Sequence, residues 1–129
     1  MAGEQILVVE DNVKNMKLFR DVLQAGGYRT LEAVSGEDAI ELALSASPAL
    51  VLMDVRLPGI GGVEALDRLR RDERTAGIPV LALTAQAMHG DRERFLAAGF
   101  DGYISKPVDI GDFMRTVREH CTVQEPGGQ

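Results

Sequence analysis

The chain has 129 residues, with 14 Lys or Arg against 20 Asp or Glu, so its formal net charge is −6. This length suits one compact domain that buries its own core, and 45% hydrophobic with 26% charged residues is ordinary globular composition. The acidic balance, without any run of Lys and Arg, argues against a nucleic-acid binder, whose affinity depends on neutralising phosphates.

Three further features bear on the location of the protein. Cys121 is the only cysteine, so no internal disulfide forms and the reducing interior of a cell is the simpler environment. Residues 1–5 (MAGEQ) show neither the basic nor the apolar region of a secretory signal. The longest apolar stretch, Ala49 to Met53, is far below the roughly 20 residues of a membrane span. We therefore expect a cytoplasmic protein that does not enter a membrane.

The chain begins with a continuous aliphatic run, Ile6 to Val9, which is typical of a strand covered on both faces. A helical period follows, ended by the pair Gly26-Gly27. The apolar residues of this first helix that we expect on its inner face are Met16, Phe19 and Leu23.

Arg29 to Val34 predicts a weaker second strand, which we place nearer an edge of the sheet. Ser35 then suits the N-cap of a second helix. The residues that we expect this helix to turn inward are Ile40, Ala43 and Leu44.

The third strand is predicted from Leu50 to Met53, again apolar on both faces. Its following helix ends in a charged run, Arg70 to Arg74. The apolar positions of that helix are Val63, Leu66 and Leu69.

The last third of the chain repeats the alternation. Val80 to Leu83 predicts a fourth strand, Gly90 to Ala98 a fourth helix stopped by Gly99, and Gly102 to Ile104 a weak fifth strand. The inward residues predicted for the fifth helix are Ile110, Phe113 and Val117.

Strands that alternate with helices predict an α/β fold with right-handed crossovers, here a doubly wound parallel sheet of about five strands with five helices. We expect the flavodoxin-like strand order 2-1-3-4-5. A single domain is predicted over residues 1–122, with a flexible C-terminal tail at 123–129.

Polar side chains stand where the predicted central strands end. They are Glu10, Asp11, Asp54, Thr84 and Lys106. Any one of them taken alone is as readily a helix cap or a loop charge. Because the carboxyl ends of parallel strands meet at one edge of a sheet, all of them together predict a site there.

The chemistry of these side chains favours handling of a phosphoryl group. Three carboxylates at short range repel one another unless a cation compensates, and Mg²⁺ prefers carboxylates, waters and a phosphate oxygen. Lys106 supplies a positive charge for an anion, and Thr84 supplies a hydroxyl donor. Asp54 ends the most buried-looking strand and is therefore the candidate nucleophile.

Four spaced motifs carry a resemblance to a known family. They are Val9-Glu10-Asp11-Asn12, Leu52-Met53-Asp54-Val55 with Pro58-Gly59, Leu83-Thr84-Ala85 and Ser105-Lys106-Pro107. Over residues 5–121 the chain resembles the receiver domain of bacterial two-component response regulators. Three further stretches, at 12–19, 87–91 and 98–103, are similar to the receivers of hybrid histidine kinases and of DivK-type single-domain regulators.

The resemblance implies a phosphorelay protein that is not itself an enzyme acting on other substrates. Asp54 would accept a phosphoryl group from a phosphohistidine. Asp11, Asp54 and the backbone carbonyl of Arg56 would ligate Mg²⁺, for which Mn²⁺ is a possible substitute, and Glu10 would act directly or through a water. The residues implied to hold the phosphoryl oxygens are Thr84, Ala85 through its N–H, and Lys106, whose peptide bond to Pro107 would be cis.

This chain departs from the family pattern in two places, and the resemblance also implies a switch. Glu10 stands where the family often has Asp. Its extra methylene moves the carboxylate outward, which argues against direct ligation of the metal by Glu10. Arg56 and Gln86 occupy places that influence hydrolysis, and since neither is a good general base we predict a long-lived phosphorylated form. Thr84 and Tyr103 would act as the switch, although an edge-strand Tyr more commonly only packs against a helix.

The surface changed by this switch would be the fourth helix, fifth strand and fifth helix, which would bind a regulated kinase or another protein. A histidine kinase or histidine phosphotransferase would dock on the first helix, around Val13, Asn15 and Met16. Both apolar residues also suit the core. No output domain is visible in the sequence, so we expect an intermolecular output.

Three other functions share parts of this pattern. A flavodoxin-type cofactor binder needs a Ser/Thr/Gly-rich loop after the first strand, where this chain carries Glu10 and Asp11. An aspartyl-phosphate phosphohydrolase usually has a second acid two residues after its nucleophile, and here that position is Arg56. A receiver-like scaffold that works without phosphorylation remains the third alternative.

Overall fold

The computed structural model describes residues 3–85 and 91–121, apart from the side chains of residues 91 and 92. The expectations for Gln86, for the start of the fourth helix at Gly90 and for the tail at 123–129 lie outside the described residues. Within the described ranges, no helix has both the length and the apolar composition that crossing a bilayer requires.

Strands and helices alternate along the whole described chain. The strands are β1 (Gln5–Val9), β2 (Arg29–Ala33), β3 (Leu50–Asp54), β4 (Val80–Thr84) and β5 (Gly102–Ser105), and the helices are α1 (Val13–Ala25), α2 (Gly36–Ala46), α3 (Gly61–Arg71), α4 (Asp91–Ala98) and α5 (Ile110–Cys121). All strand pairs are parallel, and the order across the sheet is β2-β1-β3-β4-β5. The predicted doubly wound fold is confirmed, with the two weaker strands at the edges.

Helices cover both faces of the sheet, and alternate residues of each central strand point to opposite layers. In β1, Ile6 and Val8 pack with α1 and α5, where the rings of Phe19 and Phe113 stack with centroids 5.5 Å apart. The neighbouring residues of β1 pack on the other face with α2, α3 and α4. Each such side chain stabilises the fold by about 1.5–3 kcal/mol, and together they fix the strand ends in position.

Local signals place the helix ends. The side chains of Asn12 and Ser35 each accept a hydrogen bond from the backbone N–H three residues later, at 3.0 Å and 3.1 Å. Ser35 is therefore the N-cap of α2, as the sequence predicted. Gly27 and Gly99 follow α1 and α4 with φ of 95° and 111°, a conformation that favours glycine.

Three residues predicted to face inward do not. Val63 and Ile110 are 47% and 55% exposed, and Leu44 is only half-buried, because α2 packs through smaller residues. The α3 helix begins its buried stripe one residue before Val63, and α5 starts its stripe at Phe113. The other inward predictions for α3 and α5 are confirmed, as is Ala43 in α2. The buried residues are Gly36, Ala39 and Ala43 in α2, Gly62, Ala65, Leu66 and Leu69 in α3, and Phe113, Met114, Val117 and Cys121 in α5.

Candidate functional site

The parallel register places the ends of the central strands side by side. β1 and β3 are paired up to the residues that precede Glu10 and Asp54, so these two acids are neighbours. β4 and β5 are paired at Thr84 and the residue before Lys106. The Lys106 N–H accordingly donates to the Thr84 carbonyl at 2.8 Å. The sheet therefore brings together residues that are up to 96 positions apart in the sequence.

Four charged side chains form what we call the carboxyl-end cluster: Glu10, Asp11, Asp54 and Lys106. One carboxylate oxygen from each of the three acids lies within 4.8 Å of the others. The Lys106 Nζ donates to Glu10 Oε1 at 2.8 Å and to Asp54 Oδ2 at 2.9 Å. The juxtaposition that the sequence predicted is present in the structure.

Backbone donors fix the orientation of two of these carboxylates. The Arg56 N–H donates to Asp54 Oδ1 at 2.8 Å, and the Asn12 N–H donates to Glu10 Oε2 at 3.2 Å. Both oxygens of each carboxylate therefore have a donor, whereas Asp11 is exposed at the edge of the cluster. Among the described residues, Lys106 is the side-chain donor to the Glu10 carboxylate.

The cluster holds an excess of negative charge in a buried place. Glu10 and Asp54 are 1% and 6% exposed. Burial raises the pKa of Glu10, and the neighbouring Asp54 charge adds to this, while the hydrogen bond from Lys106 works in the opposite direction. Burial lowers the pKa of Lys106, but its hydrogen bonds to Asp54 and Glu10 outweigh this, so its pKa is raised. Lys106 therefore stays charged, and one ammonium faces three carboxylates.

A cleft of about 260 Å³ opens directly above the cluster. Thr84, which is 5% exposed, and the exposed Ala85 line it from the end of β4. Its walls include Arg56 after β3 and two residues of α4, Arg94 and Phe95. Hard oxygen ligands beside an open cleft suit a small divalent cation such as Mg²⁺, which keeps several waters.

Gly62 allows α3 to lie against the end of β3. A Cβ at this position would stand 2.4 Å from the Asp54 carbonyl oxygen and 2.9 Å from the Val55 Cα, both backbone atoms. The Gly62 N–H instead donates to the Val55 carbonyl at 3.1 Å. The sequence analysis missed this supporting residue, although the adjacent pair Gly61-Gly62 is a visible signal for a close backbone approach.

The remaining predicted residues occupy the following places. The peptide bond between Lys106 and Pro107 is cis, as the resemblance implied. Tyr103 is half-buried on β5, with its ring centroid 6.2 Å from that of Phe95 in α4. Gln86 lies outside the described residues.

The predicted docking residues on α1 separate into two kinds. Val13 is 83% exposed, and Asn15 is half-buried and lines the cleft. Met16 is only 6% exposed and belongs to the core layer shared with α5. Met16 is therefore a core residue, because the helical period carries it to the same face as Phe19.

The chain belongs to the response regulator receiver domain family, whose sequence profile matches residues 6–118. It is 44% identical over 117 residues to the polar-differentiation response regulator DivK of Brucella ovis. The matched region covers 91% of this chain and 95% of that protein. The resemblance inferred from the motifs is thus confirmed at the level of the family.

Solved structures agree with this assignment. The receiver domain of sensor histidine kinase PA1611 from Pseudomonas aeruginosa, with a magnesium ion coordinated in its active site cleft, matches with a TM-score of 0.86 and 36% identity, covering 94% of this chain and 99% of that one. A chain from the co-crystal structure of the Saccharomyces cerevisiae phosphotransfer protein Ypd1 and the receiver domain of its downstream response regulator Ssk1 matches with a TM-score of 0.88 and 26% identity, covering 97% and 93%.

Proposed function

We propose that this receiver domain accepts a phosphoryl group from a phosphohistidine onto Asp54, in a Mg²⁺-dependent reaction, and thereby changes its surface to regulate a partner protein. The observation that carries the proposal is the carboxyl-end cluster, in which three carboxylates lie within 4.8 Å and one ammonium contacts two of them. We place the reaction in the cytoplasm, as the lone Cys121 suggests.

Asp11, Asp54 and the backbone carbonyl of Arg56 would hold the metal. Glu10 would act directly or through a water, since one of its carboxylate oxygens lies within 4.8 Å of those of Asp11 and Asp54. The bound Mg²⁺ would neutralise charge on the carboxylates and on the entering phosphoryl oxygens. The PA1611 receiver domain, with its coordinated magnesium, supports this choice of ion, and Mn²⁺ satisfies the same oxygen ligands.

In the transfer itself, a carboxylate oxygen of Asp54 forms a bond to phosphorus while the bond from phosphorus to the donor imidazole breaks. The electron pair of that bond stays on the imidazole nitrogen, which takes up a proton. The Arg56 N–H fixes one oxygen of Asp54, and Lys106 contacts the other. Lys106, Thr84 and the Ala85 N–H would then contact the phosphoryl oxygens, because they line the same cleft.

The added charge supplies a switch. A phosphoryl group brings about −1.5 to −2 charge, and Thr84 gains a partner by moving inward, which makes space beneath α4 for Tyr103 to turn inward. Moving the population from 1:99 to 99:1 needs about 5.5 kcal/mol of differential interaction. A few charge-assisted hydrogen bonds of about 1.5–3 kcal/mol each, before losses, supply much of this.

Two surfaces serve partners in this proposal. The phosphodonor, a histidine kinase or phosphotransferase, docks on α1 beside the cleft, where Val13 is exposed. The co-crystal structure of Ypd1 and the Ssk1 receiver domain supports a partner of this kind. The regulated protein binds the face of α4, β5 and α5, to which Leu96 of α4 contributes an exposed apolar side chain.

The test compares the wild-type protein with Asp54→Asn, and uses Asp67→Asn on the exposed face of α3 as a matched control. Each protein is incubated with acetyl phosphate and Mg²⁺ and followed by intact mass. We expect one labile phosphoryl adduct on the wild type and on the control, and none on Asp54→Asn. Repeated turnover of a small phosphate ester would instead indicate a phosphohydrolase. A partner that binds equally with and without the phosphoryl group would indicate a scaffold.

The phosphorylated form should be long-lived. Arg56, two residues after Asp54, is exposed and lines the cleft, and it is not a general base that activates an attacking water. After removal of the donor, loss of the adduct is followed by intact mass. Hydrolysis within seconds would contradict this prediction.

A further inference from the structure

We infer that Arg94 of α4 recognises the phosphoryl group in the cleft and couples α4 electrostatically to the state of Asp54. This inference rests on the proposed function, since it needs a phosphoryl group to enter. Neither the motifs nor the comparisons assign a role to Arg94.

The position of Arg94 places its charge at the site. The chain passes from the end of β4 into α4, so the N-terminal end of α4 lies at the carboxyl edge of the sheet. Side chains of a helix lean toward its N-terminus and cover the preceding turn. Arg94 accordingly lines the same cleft as Asp54, Thr84 and Lys106.

The charge balance of the cleft gives Arg94 its function. Lys106 is already hydrogen-bonded to Glu10 and Asp54, and a phosphoryl group adds about −1.5 to −2 further charge. Arg94 is one of two exposed arginines, with Arg56, that line the cleft, and the planar donors of its guanidinium match phosphate oxygens.

Arg94 is also connected to the predicted switch. Its guanidinium carbon lies 5.1 Å from the ring centroid of Phe95, the next residue. The Phe95 ring is buried and contacts Phe100 and Tyr103, with centroid distances of 6.1 Å and 6.2 Å. Attraction of Arg94 toward the cleft therefore acts on the turn of α4 that contacts Tyr103.

The test measures the rate of Asp54 phosphorylation by acetyl phosphate and Mg²⁺ in four proteins: wild type, Arg94→Gln, Arg94→Lys and Arg71→Gln. Arg71 is the matched control, because it lies on α3, pairs with Asp67 and is 78% exposed. At low ionic strength we expect Arg94→Gln to be slower by about three- to tenfold, as the loss of one exposed charge facing a dianion allows. The difference should shrink in 0.5 M salt, since screening weakens an exposed pair, and Arg94→Lys should retain most of the rate.

A direct readout accompanies the rates. The Nε–H signal of Arg94 in a ¹H–¹⁵N NMR spectrum should shift when beryllofluoride and Mg²⁺ are added to the wild type, and should not shift in Asp54→Asn. Arg94→Gln phosphorylated at the wild-type rate in low salt, or slowed equally at all salt concentrations, would overturn the inference and leave the proposed function standing. A wild type that takes no phosphoryl group would overturn both.

Discussion

Two polar clusters lie at opposite ends of the same sheet. The carboxyl-end cluster sets three carboxylates against one ammonium. At the other end, Arg70 and the groups that it contacts form what we call the amino-end cluster. The Arg70 guanidinium donates to the carbonyls of Ala76, Ile78 and Gly99, at 3.1, 2.6 and 3.1 Å, and to the Asp101 carboxylate at 2.8 Å. One cation there connects the end of α3, the loop before β4 and the loop before β5.

The two clusters differ in how their charges are balanced. Arg70 meets one carboxylate and otherwise neutral carbonyls, and Asp101 also accepts the Val80 N–H at 2.8 Å. Each of the three carbonyls and the carboxylate in the amino-end cluster accepts a hydrogen bond from Arg70. At the carboxyl end, burial raises the pKa of Glu10 above its ordinary value, so its ionised form is disfavoured there. The balanced charges of the amino-end cluster suit it to holding the fold together, whereas the surplus negative charge at the carboxyl end suits that cluster to binding a cation.

Removing the amino-end cation should have the largest effect on stability. We expect Arg70→Ala to lower the free energy of unfolding by about 2–4 kcal/mol, because three carbonyls and one carboxylate lose a charged donor. Urea unfolding measures this, with Arg71→Ala as the exposed control, for which we expect about 0–1 kcal/mol. Equal effects of the two substitutions would contradict the structural role of Arg70.

The next largest effect tests the backbone support of the carboxyl end. Gly62→Ala should destabilise the protein by about 1–3 kcal/mol, because the new Cβ meets the Asp54 carbonyl and the helix must shift. Gly77→Ala is the matched control, since no atom lies within 4 Å of a Cβ at that position. Thermal unfolding measures both. Gly62→Ala should also slow phosphorylation of Asp54, and wild-type behaviour in both assays would refute the close approach.

Magnesium should relieve the surplus charge at the carboxyl end. At a Mg²⁺ concentration ten times its Kd, binding to the folded state alone adds about 1.4 kcal/mol to the free energy of unfolding. The shift is measured by urea unfolding in Mg²⁺ and in EDTA. Asp11→Asn should reduce it strongly and Asp67→Asn should not. An undiminished shift in Asp11→Asn would place the ion elsewhere.

The smallest effect on the free energy of unfolding at neutral pH is expected for Cys121, which lies at the amino end of the sheet. Burial, with a contribution from the Glu4 charge, raises the pKa of its thiol to about 11 from an ordinary value of 9.0. At pH 8 about 0.1% is therefore thiolate in the folded protein and about 10% when unfolded, so alkylation by iodoacetamide should be about a hundredfold slower or more. Intact mass in buffer and in urea measures this.

The same shift fixes the sign of a pH effect. Because the folded pKa is the higher one, the stabilising contribution of the neutral Cys121 thiol is full below pH 9 and is lost as the pH rises through about 11. Cys121→Ala should lack this component. Native alkylation within tenfold of the unfolded rate would show that the thiol is accessible.

Much of the fold followed from local pattern. The runs of β1, β3 and β4 are apolar at nearly every position, and only central strands of a covered parallel sheet bury both faces. Glu10 and Asp54 could be predicted as neighbours, because parallel strands that end in acids bring those acids to one edge. The motifs then predicted the family.

The errors came from the first turns of helices and from contacts over long sequence distances. Val63 and Ile110 continue an apolar period, but they stand in the first turns of α3 and α5, where they are exposed, while the later residues of the same period are buried. Arg70 belongs to a charged run that the sequence analysis treated only as a helix end, yet it contacts Asp101, 31 positions away. No local pattern reports a contact that a distant loop closes. Arg94 carried no motif, and only the packing of α4 brings it to the cleft.

The sequence by itself determined which segments are strands and helices, their order in the sheet and the acids at the strand ends, since hydrophobic period and parallel topology depend on residue type and spacing. The tertiary structure decided which of those polar groups are balanced. Charge balance depends on distance and burial, and these exist only once Lys106 has met Glu10 and Asp54 at one end of the sheet, and Arg70 its carbonyls at the other.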